Sequence, residues 1–253
     1  MPEQDNWDSH WDRYAAAASQ NPAQQMRHGL IVKLLRDTTS GSRVLDIGSG
    51  QGDLLVKLHD ANPHLTLLGF ELSSSGVEIS RRKLPASRFY VADLFSPPAD
   101  LKEYIAWATD AVCSEVLEHV DSPVDFLRAA RPYLAGGARL IVTVPGGPMS
   151  AFDHHIGHRQ HFTRESISRY LSEAGFAVER VYLSGLPFFN LYRCVVILRG
   201  EKLATDVNAG QGGFSAWLAR AVMAGFRVLF RLNLMNSPFG WQVIAVARKT
   251  GAD

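Results

Sequence analysis

The sequence predicts an α/β fold in which a mostly parallel β-sheet carries helices on both faces. From residue 43 onward, short aliphatic and β-branched runs alternate with helical segments, a pattern typical of a buried parallel sheet. The predicted strands span residues 44–47, 65–70, 89–91, 111–113, 140–145, 176–183 and 242–247. The first four of them lead into acidic or small residues, at the sheet edge where ligands bind in such folds.

Length and composition restrict the class of protein further. A chain of 253 residues suffices for one α/β domain with an insertion, or for two small domains. Its 46% of hydrophobic residues can form a sizeable core, which argues against disorder. The formal net charge of +1 offers no strongly basic surface of the kind that duplex nucleic acid binds. Nucleic acid is therefore not an expected partner.

Two further features predict a cytoplasmic protein. Cys113 and Cys194 lie far apart in the sequence and in apolar surroundings. This predicts that both are reduced, buried thiols, as in cytoplasmic proteins. The first residues are polar and acidic, unlike a signal peptide. No apolar run reaches the roughly 18 uncharged residues that a membrane-spanning helix needs.

The first strand leads directly into a glycine-rich turn, Asp46-Ile47-Gly48-Ser49-Gly50-Gln51-Gly52. A helix follows from about Asp53, so its unpaired N–H groups point back at the turn. Glycine lets the backbone approach a ligand closely because no Cβ intervenes. The spacing differs from the Gly-x-Gly-x-x-Gly of dinucleotide binders, and Asp46 would repel a pyrophosphate. The turn therefore favours a nucleotide-like ligand with an amino group over NAD.

Strand-Asp-x-Gly-x-Gly-x-Gly resembles the first motif of the class I S-adenosylmethionine (SAM) dependent methyltransferases, and the later motifs follow in order. The resemblance covers roughly residues 30–183 and the final strand. It implies a Rossmann-like sheet whose last strand is antiparallel, with SAM as cofactor. The implied cofactor-binding residues are Asp46, Gly48, Ser49, Gly50, Glu71, Leu72, Asp93, Leu94, Ser114 and Glu115. Among these, Glu71 would accept the ribose hydroxyls, Asp93 the adenine amino group, and Leu94 would pack on the adenine ring.

The chain divides into three predicted regions. Residues 1–40 form a helical lead-in that covers the cofactor pocket, and residues 41–183 with 241–249 form the methyltransferase core. Residues 184–240 form a helical insertion before the last strand, where this fold normally has a short turn. The insertion is the main departure from the minimal fold.

The insertion is predicted to contact a hydrophobic acceptor, a membrane surface or a second copy of the chain. A glycine-rich joint at 208–213 precedes an apolar helix from Phe214 to about Leu232, which carries arginines on one face. Basic amphipathic helices can lie at a membrane interface, and a glycine joint could let a lid close over the site. Residues 186–236 are therefore expected to serve as a lid, a homodimer element or a peripheral membrane contact. The acceptor is expected to be a small molecule or lipid-linked.

Two clusters after strands four and five supply candidates for the chemistry. In Glu115-Val116-Leu117-Glu118-His119, a helical turn would place Glu115, Glu118 and His119 on one face. Four of the nine histidines lie between residues 154 and 161, on the loop beyond strand five. Carboxylates and imidazoles together can bind Mg²⁺, Mn²⁺ or a similar cation.

These clusters resemble two metal-using branches of the family. The ubiquinone-pathway O-methyltransferases share the Glu-x-x-Glu-His element. The small-RNA 2′-O-methyltransferases add a histidine shortly before an aromatic-Thr-Arg-Glu helix start, which Phe162-Thr163-Arg164-Glu165 matches. The resemblance implies Glu115, Glu118, His119 and His158 as ligands of Mg²⁺ or Mn²⁺. A cation so held could lower the pKa of an attacking hydroxyl.

Three interpretations of the chemistry site remain open at this stage. A metal can activate the acceptor, His158 or His119 can act as a metal-free general base, or the site can only position the acceptor. The expected activity is O-methylation of a hydroxyl on a small aromatic, glycosidic or lipid-like acceptor. The alternatives are a metal-free C- or N-methyltransferase with a histidine base, and a SAM-binding protein without catalysis.

Overall fold

The structure, a computed structural model, describes residues 7–199 and 214–251. Its strands are β1 (Arg43–Ile47), β2 (Thr66–Glu71), β3 (Arg88–Val91), β4 (Ala108–Ser114), β5 (Leu134–Pro145), β6 (Phe176–Ser184) and β7 (Gln242–Lys249). Its helices are α1 (Trp7–Gln20), α2 (Pro22–Leu34), α3 (Asp53–Ala61), α4 (Ser74–Lys83), α5 (Pro123–Ala130), α6 (Ala151–His155), α7 (Arg164–Glu173), α8 (Phe188–Arg199) and α9 (Phe214–Leu229). Short 3₁₀ turns include Leu117–His119 and Phe230–Leu232.

The strands form one sheet in the order β3-β2-β1-β4-β5-β7-β6. Strands β1 to β5 pair in parallel, and β7 runs antiparallel to both β5 and β6. This confirms the predicted Rossmann-like class I methyltransferase sheet. Because the strand order reverses between β1 and β4, a crevice opens at the carboxyl ends of these two strands.

The central strands are buried on both faces, as the aliphatic runs predict. Successive side chains of β1 alternate, so that Leu45 and Ile47 join one core cluster while Val44 joins another. The first cluster includes Leu127 of α5, and the second includes Leu55 of α3. Helices therefore cover both faces, and the sheet positions the residues at its carboxyl edge rigidly.

Strand β5 is longer than the sequence predicts, since it begins at Leu134 and not at residue 140. Leu134 pairs with Ala108, and the next pair joins Arg139 to Asp110. The intervening residues form a bulge that contains Gly137 at φ +71°. A bulge accommodates extra residues and a left-handed glycine inside a strand, which a local turn signal cannot distinguish from a loop.

The lead-in helices are held against the core by specific contacts. The Asp8 carboxylate of α1 accepts hydrogen bonds from Ser73 Oγ at 2.6 Å and from the Ser75 N–H at 3.0 Å. It thus adds to the cap of α4, whose N-cap residue is Ser73. Helix α1 packs along α4 and α2. The lead-in therefore lies near the glycine turn.

The insertion packs onto the lead-in helix α2. Phe189 of α8 and Phe230, after α9, share a buried cluster with Ala23 of α2. Residues 200–213, including the glycine joint at 208–213, lie outside the described residues. Among the described residues, no helix is long and apolar enough to cross a bilayer.

The entry into β7 depends on a glycine. A Cβ at Gly240 would lie 2.3 Å from the carbonyl oxygen of Leu183 and 2.5 Å from that of Ser184. Gly240→Ala should lower the free energy of unfolding by about 1–3 kcal/mol, because the clash is with backbone that cannot rotate away. Chemical denaturation measures the change. Gly136→Ala is the control, since its nearest atom is 4.0 Å away; equal stability of the two variants would contradict this packing.

Candidate functional site

The glycine turn after β1 is fixed by the neighbouring strand. The N–H groups of Gly48 and Ser49 donate to the Phe70 carbonyl at 2.8 and 2.9 Å. Gly48 and Gly50 have φ of +75° and +54°, and a Cβ at Gly48 would lie 2.4 Å from Cγ2 of Val116. Only glycine adopts this path without strain. The turn therefore leaves no room for a side chain at Gly48, where Val116 packs against it.

Two buried carboxylates flank this turn. Glu71 Oε2 accepts from the Gly50 N–H at 2.7 Å, and its Oε1 accepts from the Ser73 N–H at 3.0 Å. Burial raises the pKa of Glu71, and these N–H donors oppose the rise. Burial, and then the charge of Glu71, raises the pKa of Asp46 to about 7. Carboxylate oxygens accept more than one hydrogen bond, so Glu71 can also receive ribose hydroxyls.

At the end of β3, the structure separates the residues predicted for adenine. Asp93 is exposed, and its Oδ1 accepts from the Phe95 N–H at 2.9 Å. Leu94 is only 6% exposed and belongs to the main core cluster. The apolar surface available here comes instead from Leu72, 49% exposed, and from Phe95, 57% exposed. Phe95 carries no motif signal and was missed from the sequence.

Helix α1 contributes two tryptophans to the site, Trp7 and Trp11. The Trp11 ring lies 2.6 Å from the position of a Cβ on Gly50, so the indole rests directly on the glycine turn. The Trp7 ring meets His119 edge to face, with centroids 4.8 Å apart. Helical spacing in the sequence indicates that these rings share a face. It does not indicate which residues of the predicted cover contact the site.

Glu115 does not share a face with Glu118 and His119, contrary to the helical turn expected from the sequence. Glu115 has φ +57°, and the 3₁₀ turn begins only at Leu117. Its carboxylate accepts from Thr143 Oγ1 at 3.1 Å and Gln242 Nε2 at 3.0 Å. It also lies 3.5 Å from Arg27 Nε. Ser114 bonds Thr143 through its hydroxyl at 2.8 Å, beside this group.

Glu118 is the least satisfied polar side chain of the site. It is fully buried, and neither carboxylate oxygen has a hydrogen-bond partner in the described part of the chain. Burial, and then the nearby charge of Glu115, raises the pKa of Glu118 well above its ordinary value. An unpaired buried carboxylate is costly. The residue therefore requires a proton or a positively charged ligand.

The loop after β5 brings His158 to this carboxylate. The Arg159 N–H donates to the Glu118 carbonyl at 2.8 Å, and His119 Nδ1 lies 3.3 Å from the Gly157 carbonyl oxygen. The rings of His119 and His158 are consequently 4.9 Å apart, edge to face. Burial, and then the charge of His119, lowers the pKa of His158 to about 3, so its imidazole is neutral at physiological pH.

Among the described residues, two groups of side chains have ligand atoms within 4.8 Å of one another. The first comprises Glu118, His119 and His158; the second comprises Asp153, His158 and His161. Asp153 already accepts two hydrogen bonds from the Arg193 guanidinium of α8, at 3.0 and 2.8 Å. An arginine in that position disfavours a cation at the second group. The first group fits a divalent cation through one carboxylate and two imidazoles.

The chain matches the family described as a methyltransferase domain over residues 18–181. It belongs to this family, and the sheet order and glycine turn are those of a class I SAM-dependent methyltransferase. The match includes residues 41–181 of the predicted core and part of the predicted lead-in.

Among curated relatives, the chain is 29% identical over 143 residues to the ubiquinone biosynthesis O-methyltransferase of Xylella fastidiosa (strain 9a5c), covering 56% of this chain and 56% of that protein. It is 35% identical over 147 residues to the trans-aconitate 2-methyltransferase of Rhodococcus jostii (strain RHA1), covering 57% of this chain and 54% of that protein. The chain spans about half the length of these relatives.

Among solved structures, geranyl diphosphate methyltransferase in complex with GPP and sinefungin superposes with a TM-score of 0.58. The identity is 15%, and the match covers 90% of this chain and 79% of that chain. A likeness at this identity supports the fold alone.

Glu118→Gln should stabilise the protein in EDTA at pH 8. Because the pKa of Glu118 is raised by folding, the stability of the wild type is fully present below the unfolded-state pKa and falls as pH rises toward the folded-state pKa. Glutamine removes this loss, and one pKa unit corresponds to about 1.4 kcal/mol, so a gain of about 1 kcal/mol or more is expected.

Urea denaturation between pH 5 and pH 8 measures this difference, with the exposed Glu78→Gln as control. The gain should grow with pH in Glu118→Gln and be absent in the control. A variant less stable than the wild type at every pH would contradict the unpaired burial of Glu118.

Proposed function

We propose that the chain is a SAM-dependent O-methyltransferase whose acceptor hydroxyl binds beside a divalent cation, Mg²⁺ or Mn²⁺. One observation carries the proposal: a fully buried carboxylate without a hydrogen-bond partner in the described chain lies beside two imidazoles. SAM supplies a methyl group activated by its sulfonium sulfur. A bound cation supplies a positive charge that lowers the pKa of a coordinated hydroxyl.

The proposed SAM site uses the carboxyl edge of β1, β2, β3 and β4. The glycine turn approaches the amino-acid part of the ligand, Asp46 and Glu115 favour its positive charges, and Glu71 accepts the ribose hydroxyls. Asp93 accepts from adenine beside Leu72. The proposed set is Asp46, Gly48, Ser49, Gly50, Glu71, Leu72, Asp93, Leu94, Ser114 and Glu115, with Leu94 acting from the core below.

The proposed cation site uses three side chains of the four implied by the sequence. Glu118, His119 and His158 hold the cation, while Glu115 serves the adjoining cofactor edge through its bonds to Thr143 and Gln242. A neutral imidazole is the form that binds metal, and the lowered pKa of His158 supports that role. The same lowered pKa argues against a metal-free C- or N-methyltransferase with His158 as base, because such a group accepts protons weakly at neutral pH.

Two features support a hydroxyl on a small aromatic, glycosidic or lipid-like acceptor. One relative is named an O-methyltransferase of ubiquinone biosynthesis. The insertion also brings an aromatic cluster toward the loop after β5, since Arg193 of α8 bonds Asp153 of α6. The cluster comprises Phe188, Phe189, Tyr192, Phe226, Phe230 and Trp241.

The outer face of the insertion supports a peripheral membrane contact or a homodimer through residues 186–236. Leu191, Val195 and Leu198 are exposed at helical spacing on α8, and Arg227 and Arg231 are exposed on and after α9. Exposed apolar stripes mark interaction surfaces, and basic residues suit anionic headgroups. A cytoplasmic location stays a prediction.

The cation proposal predicts one-to-one binding of Mn²⁺ to EDTA-stripped protein saturated with S-adenosylhomocysteine. Glu118→Ala and His158→Ala should each lose this binding, because each removes a ligand. Isothermal calorimetry measures it, and His155→Ala is the control, since His155 is an exposed histidine of the same loop region.

Saturation with S-adenosylhomocysteine is measured first and should persist in all three variants. Catechols and vicinal diols are then the acceptors to test for methyl transfer. Absence of Mn²⁺ and Mg²⁺ binding to the wild type would remove the metal from the proposal, and failure to bind S-adenosylhomocysteine would remove the activity itself.

A further inference from the structure

His161 stands between His158 and the backbone. Its Nδ1 lies 3.1 Å from the Gly147 carbonyl oxygen, and its Nε2 lies 3.2 Å from Nδ1 of His158. Sequence reasoning counted His161 only as one histidine of a loop. The structure makes it the middle member of a hydrogen-bonded chain that ends on His158.

The direction of this chain follows from hydrogen-bond chemistry. A carbonyl oxygen only accepts, so His161 Nδ1 carries the proton that is donated to Gly147. A neutral imidazole has one N–H and one lone pair, so His161 Nε2 accepts. His158 Nδ1 must then be the donor, and the lone pair of His158 lies on Nε2.

The imidazoles of both His158 and His161 are in their neutral form, as this assignment of protons requires. The side chains of His158 and His161 are only 9% and 6% exposed. Burial of this degree disfavours the charged form of an imidazole. At neutral pH each ring therefore carries a single N–H, which leaves one arrangement of protons along the chain.

The first acceptor of the hydrogen-bonded chain, the Gly147 carbonyl oxygen, is held in position by packing. Gly147 has φ +71°, and a Cβ there would lie 2.6 Å from the Trp241 ring. The absence of a side chain lets Trp241 rest on this backbone and hold the Gly147 carbonyl in place. Gly147 therefore offers His161 an acceptor of defined position.

The nearby Asp153 carboxylate takes no part in this hydrogen-bonded chain. Asp153 Oδ1 is 3.8 Å from His158 Nδ1 and 3.9 Å from His161 Nε2, beyond hydrogen-bond distance. Both of its oxygens accept from Arg193 instead. Asp153 can attract a positive charge on the rings, but it does not select which nitrogen of His158 carries the proton.

We propose that His161 is a positioning residue that sets the tautomer of His158, so that Nε2 of His158 is unprotonated. Free histidine prefers the opposite tautomer, with the proton on Nε2, so the chain from Gly147 works against an intrinsic preference. His119 makes a comparable backbone contact directly, since its Nδ1 lies 3.3 Å from the Gly157 carbonyl oxygen. Using the two Nε2 lone pairs to hold a cation rests on the proposed function; the tautomer itself does not.

The tautomer can be observed in the full chain by two-bond ¹⁵N–¹H NMR correlation with ring-labelled histidine. The sample holds EDTA and S-adenosylhomocysteine at neutral pH, and His158→Gln identifies the His158 signals. The wild type should show His158 protonated on Nδ1 and unprotonated on Nε2. A wild-type ring protonated on Nε2 would overturn the proposal, whether or not the protein binds a metal.

Two substitutions separate positioning from folding. His161→Leu removes the acceptor and should move the His158 proton largely to Nε2. His161→Gln retains an acceptor oxygen and should keep it on Nδ1. His155→Leu, at an exposed histidine, is the control and should change nothing. S-adenosylhomocysteine affinity within about twofold of wild type establishes that each variant is folded.

Mn²⁺ calorimetry on the same proteins distinguishes this proposal from the proposed function. If the wild type binds Mn²⁺, His161→Leu should weaken binding by about 10–100-fold, the usual effect of losing an outer partner of a ligand, and His161→Gln should restore most of it. If the wild type shows the predicted tautomer without binding Mn²⁺, the cation proposal fails and this one stands. An unchanged His158 tautomer in His161→Leu would overturn this one alone.

Discussion

The rest of the site depends on the hydrogen bonds and the ion pair of the Glu115 carboxylate. It joins the end of β4 to Thr143 of β5, Gln242 of β7 and Arg27 of α2. These contacts hold Glu115 at φ +57°, a conformation that costs about 1–3 kcal/mol for a residue other than glycine. Because the chain turns there, the next residues enter a 3₁₀ turn that places Glu118 inside the protein. Glu115 therefore links the carboxyl edge of the sheet, where the cofactor is proposed to bind, to the proposed cation site.

The carboxyl edge of the sheet concentrates acidic groups whose ionised forms are poorly solvated. Burial raises the pKa of Asp46 to about 7, raises that of Glu71, and raises that of Glu118 well above its usual range. Ionising these buried carboxyl groups costs free energy in the unliganded protein, and positively charged ligands offset that cost. In the proposed site, the sulfonium and ammonium of SAM would meet this requirement near Asp46, and a divalent cation would meet it at Glu118.

Sequence reasoning predicted the strands and the carboxylates at their ends, because hydrophobic runs and the acidic residues that follow them are local features. The antiparallel last strand was predicted from the family resemblance. Sequence reasoning could not predict the left-handed Glu115, since that conformation is fixed by Gln242, far along the chain. It also could not predict that Leu94 is buried while Leu72 is exposed. His161 was equally invisible, because hydrogen-bonded chains in loops follow no periodic spacing.

Anomalous X-ray diffraction from crystals grown with Mn²⁺ and S-adenosylhomocysteine tests the central claim most directly. The account predicts one manganese peak bound by Glu118 and by Nε2 of both His119 and His158, with Glu115 still bonded to Thr143 and Gln242. No peak at these residues, with Glu118 donating a hydrogen bond as a protonated acid, would contradict it.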